Sequence, residues 1–96
     1  MMRATPALAL LLLATAPLVS AEARDPAQVR EFRAAHPCPA TGRTRGPCRG
    51  YEVDHVTPLC AGGADRGFNL QWLTIEAHRL KTRDDVRRCA AFRGRP

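Results

Sequence analysis

The pattern of apolar and polar positions after residue 24 predicts two helices that flank a β-hairpin. Apolar residues from Val29 to Ala35 recur at helical spacing after Asp25-Pro26, a pair that suits a helix start, and Pro37 would end this helix. The elements predicted next are a Gly-, Pro- and Arg-rich loop over 38–50, a strand over 51–56, a turn over 61–65, a strand over 69–73 and a helix from 75 towards 83 or beyond, capped by Thr74. The apolar residues expected to pack in the core of the hairpin are Phe68, Leu70 and Trp72. This order of elements indicates a small α+β fold.

The first 21 residues have the pattern of a secretory signal peptide. Met1–Arg3 is a short basic segment, Ala7–Ala16 (ALALLLLATA) is apolar, and Pro17 is followed by small residues. The apolar core is about half as long as the roughly 20 residues that a membrane-spanning helix needs. We therefore expect cleavage after Ala21, with Ala23 as the alternative, and a secreted or periplasmic protein without a membrane anchor.

Length and charge narrow the classes of function. A chain of 96 residues is too short for a large enzyme architecture such as a dinucleotide fold or a barrel. Arg3 is the only charged residue before Glu22, so the mature chain keeps 14 of the 15 Lys and Arg and all 9 Asp and Glu, for a net charge of +5. This excess indicates an anionic partner, and phosphate groups are the usual one.

The four cysteines compensate for a small apolar core. Domains of this size often depend on disulfides or on a metal ion. Cysteines 38, 48, 60 and 89 all lie in the predicted exported part, and no two of them have the close spacing of a structural zinc site, so two disulfides are the preferred interpretation. Four cysteines allow three pairings. We favour Cys38–Cys48, which would close the basic loop, with Cys60–Cys89, which would clamp the last helix to the hairpin.

Four polar residues of the hairpin and the last helix carry the candidate chemistry. Asp54 and His55 are adjacent near the end of the first strand, Asn69 opens the second strand, and His78 lies about one turn into the helix. Asp54 and His78 offer an oxygen and a nitrogen ligand to one divalent cation, with positions left for water and a phosphate oxygen. His55 can take a proton from water near neutral pH, and Asn69 can fix the backbone that aims it. Because neighbours in a regular strand point to opposite faces, the strand must end or bend where Asp54 and His55 share a site.

The stretch Tyr51–Asp85 (YEVDHVTPLCAGGADRGFNLQWLTIEAHRLKTRDD) resembles the HNH endonucleases, also called the His-Me finger or ββα-metal family. The shared features are the Asp-His pair, the Pro-Leu and Gly-Gly that follow it, the Asn-Leu-Gln-Trp segment, and the helix histidine with Lys81. The chain is similar in particular to small exported members with paired cysteines around a Gly-Arg loop. The resemblance implies a ββα-metal core over 51–96, preceded by a helix and a basic Cys-bounded loop over 22–50.

By this resemblance the protein would be a secreted endonuclease that hydrolyses phosphodiester bonds with low sequence specificity, on DNA in the first place and RNA as the alternative. Asp54 and His78 would bind one divalent ion, Mg²⁺ first and Mn²⁺, Zn²⁺ or Ni²⁺ as alternatives. His55 would be the general base and Asn69 would orient it, although in some branches of the family the Asn is itself a metal ligand. We expect a monomer.

The surface residues complete the set of predictions. The basic residues expected to contact nucleic acid are Arg43, Arg45 and Arg49 of the loop and Arg79 and Lys81 of the last helix. The acidic residues expected to be solvated, or to lie in a turn or at a helix end, are Glu52, Asp65, Asp84 and Asp85. Two other functions stay open: an inactive basic nucleic-acid-binding module of the same fold, and a cationic protein that acts on membranes or anionic polymers. Against the latter, the mature chain shows no long amphipathic basic helix.

Overall fold

The computed structural model describes residues 2–5, 7 and 24–94, so most of the predicted signal peptide lies outside the described residues. The main elements are α1 (Pro26–Ala35), β1 (Tyr51–His55), β2 (Leu70–Thr74) and α2 (Ile75–Arg93). Short 3₁₀ turns at Leu59–Ala61 and Gly67–Asn69 lie between the strands. Within the described ranges, no helix is long and apolar enough to cross a membrane. The small α+β architecture with an additional N-terminal helix is confirmed.

Helix α1 is joined to the hairpin by aromatic packing. The Asp25 side chain accepts a hydrogen bond from the Ala27 N–H, which caps the helix as predicted. Phe32 is buried and lies 6.1 Å from the ring of Trp72, measured between ring centroids. The Trp72 indole N–H donates to the His36 carbonyl oxygen at 2.8 Å. This contact fixes the C-terminal end of α1 against β2.

The two strands form an antiparallel pair, in register from Tyr51 opposite Thr74 to His55 opposite Leu70. Asn69 belongs to the 3₁₀ turn before β2 and does not open the strand. The expectation that Phe68 packs in the core is wrong, because its side chain is 83% exposed. Positions 68, 70 and 72 would share one face only in an extended strand, and the turn breaks that alternation.

The segment between the strands folds back on itself at two glycines. Gly62 has a positive φ of 82°, a conformation that favours glycine. A Cβ on Gly63 would lie 1.9 Å from the Thr57 carbonyl oxygen, so any side chain there would displace the backbone. The Gly-Gly pair therefore closes the segment that follows His55.

Helix α2 and the disulfides hold the rest of the fold together. Thr74 caps α2 by accepting from the Ala77 N–H, and the helix runs to Arg93, ten residues past the shortest predicted end. The disulfides are Cys38–Cys48 and Cys60–Cys89, which confirms the favoured pairing. Cys38 and Cys89 are the most deeply buried of the core side chains. The second disulfide ties α2 to the turn that follows β1.

Candidate active site

Asp54, His55 and His78 line one surface cavity of about 470 Å³, whereas Asn69, the fourth residue expected with them, is not in its wall. Asp54 and His55 are the last two residues of β1. Because the strand ends there, both side chains reach the same cavity despite their adjacency. His78 enters it from the first turns of α2.

His78 is held between two carboxylates on one face of β1. Its Nδ1 lies 2.8 Å from Glu52 Oε2, and its Nε2 lies 3.6 Å from Asp54 Oδ1. A carboxylate only accepts, so Nδ1 carries a hydrogen, and whenever the ring is neutral its Nε2 lone pair faces Asp54. Glu52 is exposed on the strand, as expected, but its pairing with His78 was not predicted. The signal was present in the sequence, since residues two apart on a strand share a face.

Asp54 is buried and receives two donors on its second oxygen. Gln71 Nε2 donates to Oδ2 at 3.1 Å, and the Lys81 ammonium lies 3.0 Å from the same atom. Lys81 also contacts Asp85 and donates to the His55 carbonyl oxygen at 2.8 Å. Asp85 is therefore half-buried and paired, contrary to the expectation of a solvated residue. A phosphate contact by Lys81 would require its ammonium group to leave one of these partners.

His55 is paired with Asp65, which was expected to be a simple turn residue. His55 Nε2 lies 2.9 Å from Asp65 Oδ1, and both side chains are largely buried. The second carboxylate oxygen of Asp65 accepts from the backbone N–H of Asp25 at 2.6 Å. The bond from Asp25, followed by the one from His55, holds the pKa of Asp65 below its ordinary value of 3.8. Asp65 is therefore ionised at neutral pH and His55 Nε2 is the donor.

Asn69 fixes the backbone that follows His55. Its side-chain oxygen accepts from the Thr57 N–H at 3.0 Å. Its amide donates to the carbonyl oxygens of Thr57 and Ala64, at 2.9 and 2.8 Å. The side chain is buried, and all three partners lie in the segment between the strands. This geometry matches an orienting residue, since its side-chain oxygen is taken up by backbone.

The basic residues are distributed differently from the sequence-based expectation. Among the described residues, the only arginine or lysine in the wall of the main cavity is Arg24, which the sequence did not single out. Arg43 and Arg45 flank a separate surface cavity of about 400 Å³. The loop arginines and Arg79 are exposed. Arg24 directly precedes the cap of α1, and no local pattern signals that this helix start lies beside His55.

The donor set of Asp54 and His78 fits a divalent cation. Two ligand atoms about 2.0–2.2 Å from one ion lie roughly 3–3.5 Å apart, close to the observed 3.6 Å between Oδ1 and Nε2. No cluster of three or more potential ligands is assembled within the described part of the chain. Protein ligation would thus come from Asp54 and His78, while Glu52 orients the imidazole.

Comparison of the chain with protein-family models, curated proteins and solved structures gives no match in any of the three.

Proposed function

We propose that this protein is a small HNH-type endonuclease that hydrolyses phosphodiester bonds of nucleic acid with the help of one divalent metal ion. The proposal rests above all on one observation: a histidine that can act as base and a carboxylate–histidine pair that can bind metal share one cavity. The resemblance of residues 51–85 to the HNH pattern supports it, as does the net positive charge. DNA is the preferred substrate, and export through a signal peptide belongs to the same proposal.

Five side chains in or beside the cavity have separate roles in the proposed reaction. His55 accepts a proton from the attacking water, and Asn69 keeps the segment after His55 in place. Arg24 lies in the cavity wall, where its guanidinium can hold a phosphate oxygen. Asp54 and His78 would hold the metal ion, which would supply Lewis-acid stabilisation of charge on the phosphate. An exposed cavity mouth with few groups for base contacts agrees with low sequence specificity.

A plasmid-nicking assay tests this function. The oxidised, signal-free protein is incubated with supercoiled plasmid and Mg²⁺, Mn²⁺, Zn²⁺ or Ni²⁺, with and without chelator. We expect cleavage that depends on metal and that His55→Ala lowers by about 10²–10⁴-fold, because the general base is lost. His36→Ala, a change of the exposed histidine outside the cavity, is the matched control.

An inactive nucleic-acid-binding module is the alternative, and the ion pair between Lys81 and Asp54 is the observation in its favour. Retarded migration of DNA without cleavage in any of the metals would establish it. Cleavage that persists after exhaustive chelation, or at the wild-type rate in His55→Ala, would contradict the proposed mechanism.

A further inference from the structure

The pairing of His55 with Asp65 goes beyond what the HNH resemblance assigns. Asp65 does not line the cavity, whereas His55 does. The imidazole therefore spans from a largely buried carboxylate to the cavity. Its Nε2 is taken up by Asp65 at 2.9 Å, and among the described residues no hydrogen bond reaches Nδ1.

We propose that Asp65 is a positioning residue that fixes His55 as the Nε2–H tautomer, so that Nδ1 presents its lone pair to water in the cavity. An ionised carboxylate can only accept, so Nε2 must donate and the neutral ring must leave Nδ1 unprotonated. The Asp25 N–H holds the other oxygen at 2.6 Å, which stops the carboxylate from rotating away. Helix α1 thereby helps to position His55, because the backbone N–H of its N-cap residue holds Asp65. This inference rests on the proposed function only for its effect on the rate.

The two oxygens of Asp65 make Asp65→Asn a sharp test. In that variant the amide oxygen must still accept from the Asp25 N–H, so the amide NH₂ faces His55. An NH₂ group donates, and it pairs only with a ring that has its lone pair on Nε2 and its proton on Nδ1. Asp65→Asn should therefore move the His55 proton from Nε2 to Nδ1. Asp65→Ala should leave both tautomers of His55 populated.

The first measurement is ¹⁵N NMR of the imidazoles in metal-free protein, at an alkaline pH at which the ¹⁵N shifts themselves show one protonated and one unprotonated ring nitrogen. The His55 signals are identified by their loss in His55→Ala. We expect Nε2–H in the wild type, Nδ1–H in Asp65→Asn, and a mixture in Asp65→Ala. Asp84→Asn, a change of an exposed acid on α2, should leave the wild-type spectrum. A wild-type Nδ1–H ring, or an Asp65→Asn ring that keeps Nε2–H, overturns the proposal.

The second measurement is the steady-state rate of cleavage. We expect kcat to fall at least about tenfold in Asp65→Asn with little change in KM, because the wrong tautomer has no lone pair on Nδ1. The fall should be smaller in Asp65→Ala, since a fraction of the His55 rings keeps the correct tautomer. Wild-type kcat in Asp65→Asn would overturn the inference. If the wild type cleaves nothing, the proposed function fails, and the NMR result still decides the link between Asp65 and His55.

Discussion

At the scale of single residues, both histidines of the cavity have one nitrogen bound by a carboxylate. Glu52 accepts from His78 and Asp65 from His55, each at hydrogen-bond distance. A carboxylate partner fixes the tautomer and the ring plane. Under the proposed function, this arrangement would leave one nitrogen of His78 for a metal ion and one nitrogen of His55 for a proton.

Substitutions can distinguish the proposed metal ligands, Asp54 and His78, from Glu52, which only orients His78. Asp54→Ala and His78→Ala should lower Mn²⁺ affinity and cleavage together, because each removes a ligand. Glu52→Ala should weaken Mn²⁺ binding by about 10-fold, the low end for an outer partner, because the Glu52–His78 pair is partly exposed. Calorimetric titration with Mn²⁺ measures these affinities.

Glu31→Ala, on the exposed surface of α1, is the control for this series and should bind Mn²⁺ as the wild type does. Unchanged Mn²⁺ affinity in both Asp54→Ala and His78→Ala would remove these residues from the metal site.

At this scale the sequence predicts a contact where the order of strands and helices determines it, and misses one that depends on the path of a turn or on helix docking. Asp54, His55 and His78 were placed together because a hairpin followed by a helix leaves few ways to arrange them. Asp65 was missed as a partner of His55 because the turn brings it back across ten residues. Arg24 was missed because its place depends on how α1 docks. Neither contact leaves a periodic pattern in the chain.

At the scale of elements, helix-capping residues and helix-breaking prolines and glycines were sufficient to predict the positions of α1, β1 and the start of α2. Asp25 and Thr74 cap their helices as predicted, because these side chains satisfy N–H groups that no helix can satisfy itself. The prediction left the end of α2 open beyond residue 83, and the helix continues to Arg93 because the first Gly or Pro after Thr74 is Gly94. Phe68 was wrongly assigned to the core because it lies in a 3₁₀ turn, where side chains do not alternate between two faces as they do in a strand.

The two disulfides connect different elements and should differ in their effects. Cys60–Cys89 links positions 29 residues apart and Cys38–Cys48 positions 10 apart. Chain entropy predicts a loss of about 3–4 kcal/mol for the first and about 1 kcal/mol less for the second. Paired Cys→Ser variants, unfolded in urea, give these values.

Only the loss of Cys60–Cys89 should also reduce activity at temperatures at which the variant stays folded. This disulfide holds α2, which carries His78, against the turn after His55. Equal activity losses in both variants would show that the position of the disulfide does not matter for the site.

The docking of α1 through Asp65 should depend on pH. The pKa of Asp65 is lowered in the folded protein, first by the Asp25 N–H and then by His55. Its contribution to stability is therefore present above about pH 3.8 and is lost as the pH falls through the lower pKa of the folded state. Asp65→Asn should melt below the wild type at pH 6 and approach it below pH 3.8. A gap in melting temperature that stays constant over this range would contradict the assignment.

At the scale of the whole molecule, binding to nucleic acid should be governed by charge. Arginines spread over α1, the basic loop and α2 suit contacts with phosphates more than with bases. The affinity for double-stranded DNA should fall steeply with salt, and each lost phosphate contact should reduce the log–log slope by about 1.

Arg24→Ala is the most informative change for this prediction, because Arg24 lies in the cavity wall. Arg87→Ala, on the side of α2 opposite His78, should keep the wild-type slope. Fluorescence anisotropy with a labelled duplex at several salt concentrations measures both. Equal slopes in wild type and Arg24→Ala would place Arg24 outside the interface.

The position of the Lys81 ammonium group bears on whether the protein must bind metal before it can fold. This ammonium group lies between Asp54 and Asp85, so a positive charge of the chain itself reduces the repulsion between these two carboxylates. Proteins that fold around zinc wait for the ion, because their ligands have nothing else to hold them together. Here the Lys81 ammonium already lies between the carboxylates, so we expect the chain to fold without the ion. If the proposed function holds, removal of the metal should abolish cleavage and leave the protein folded.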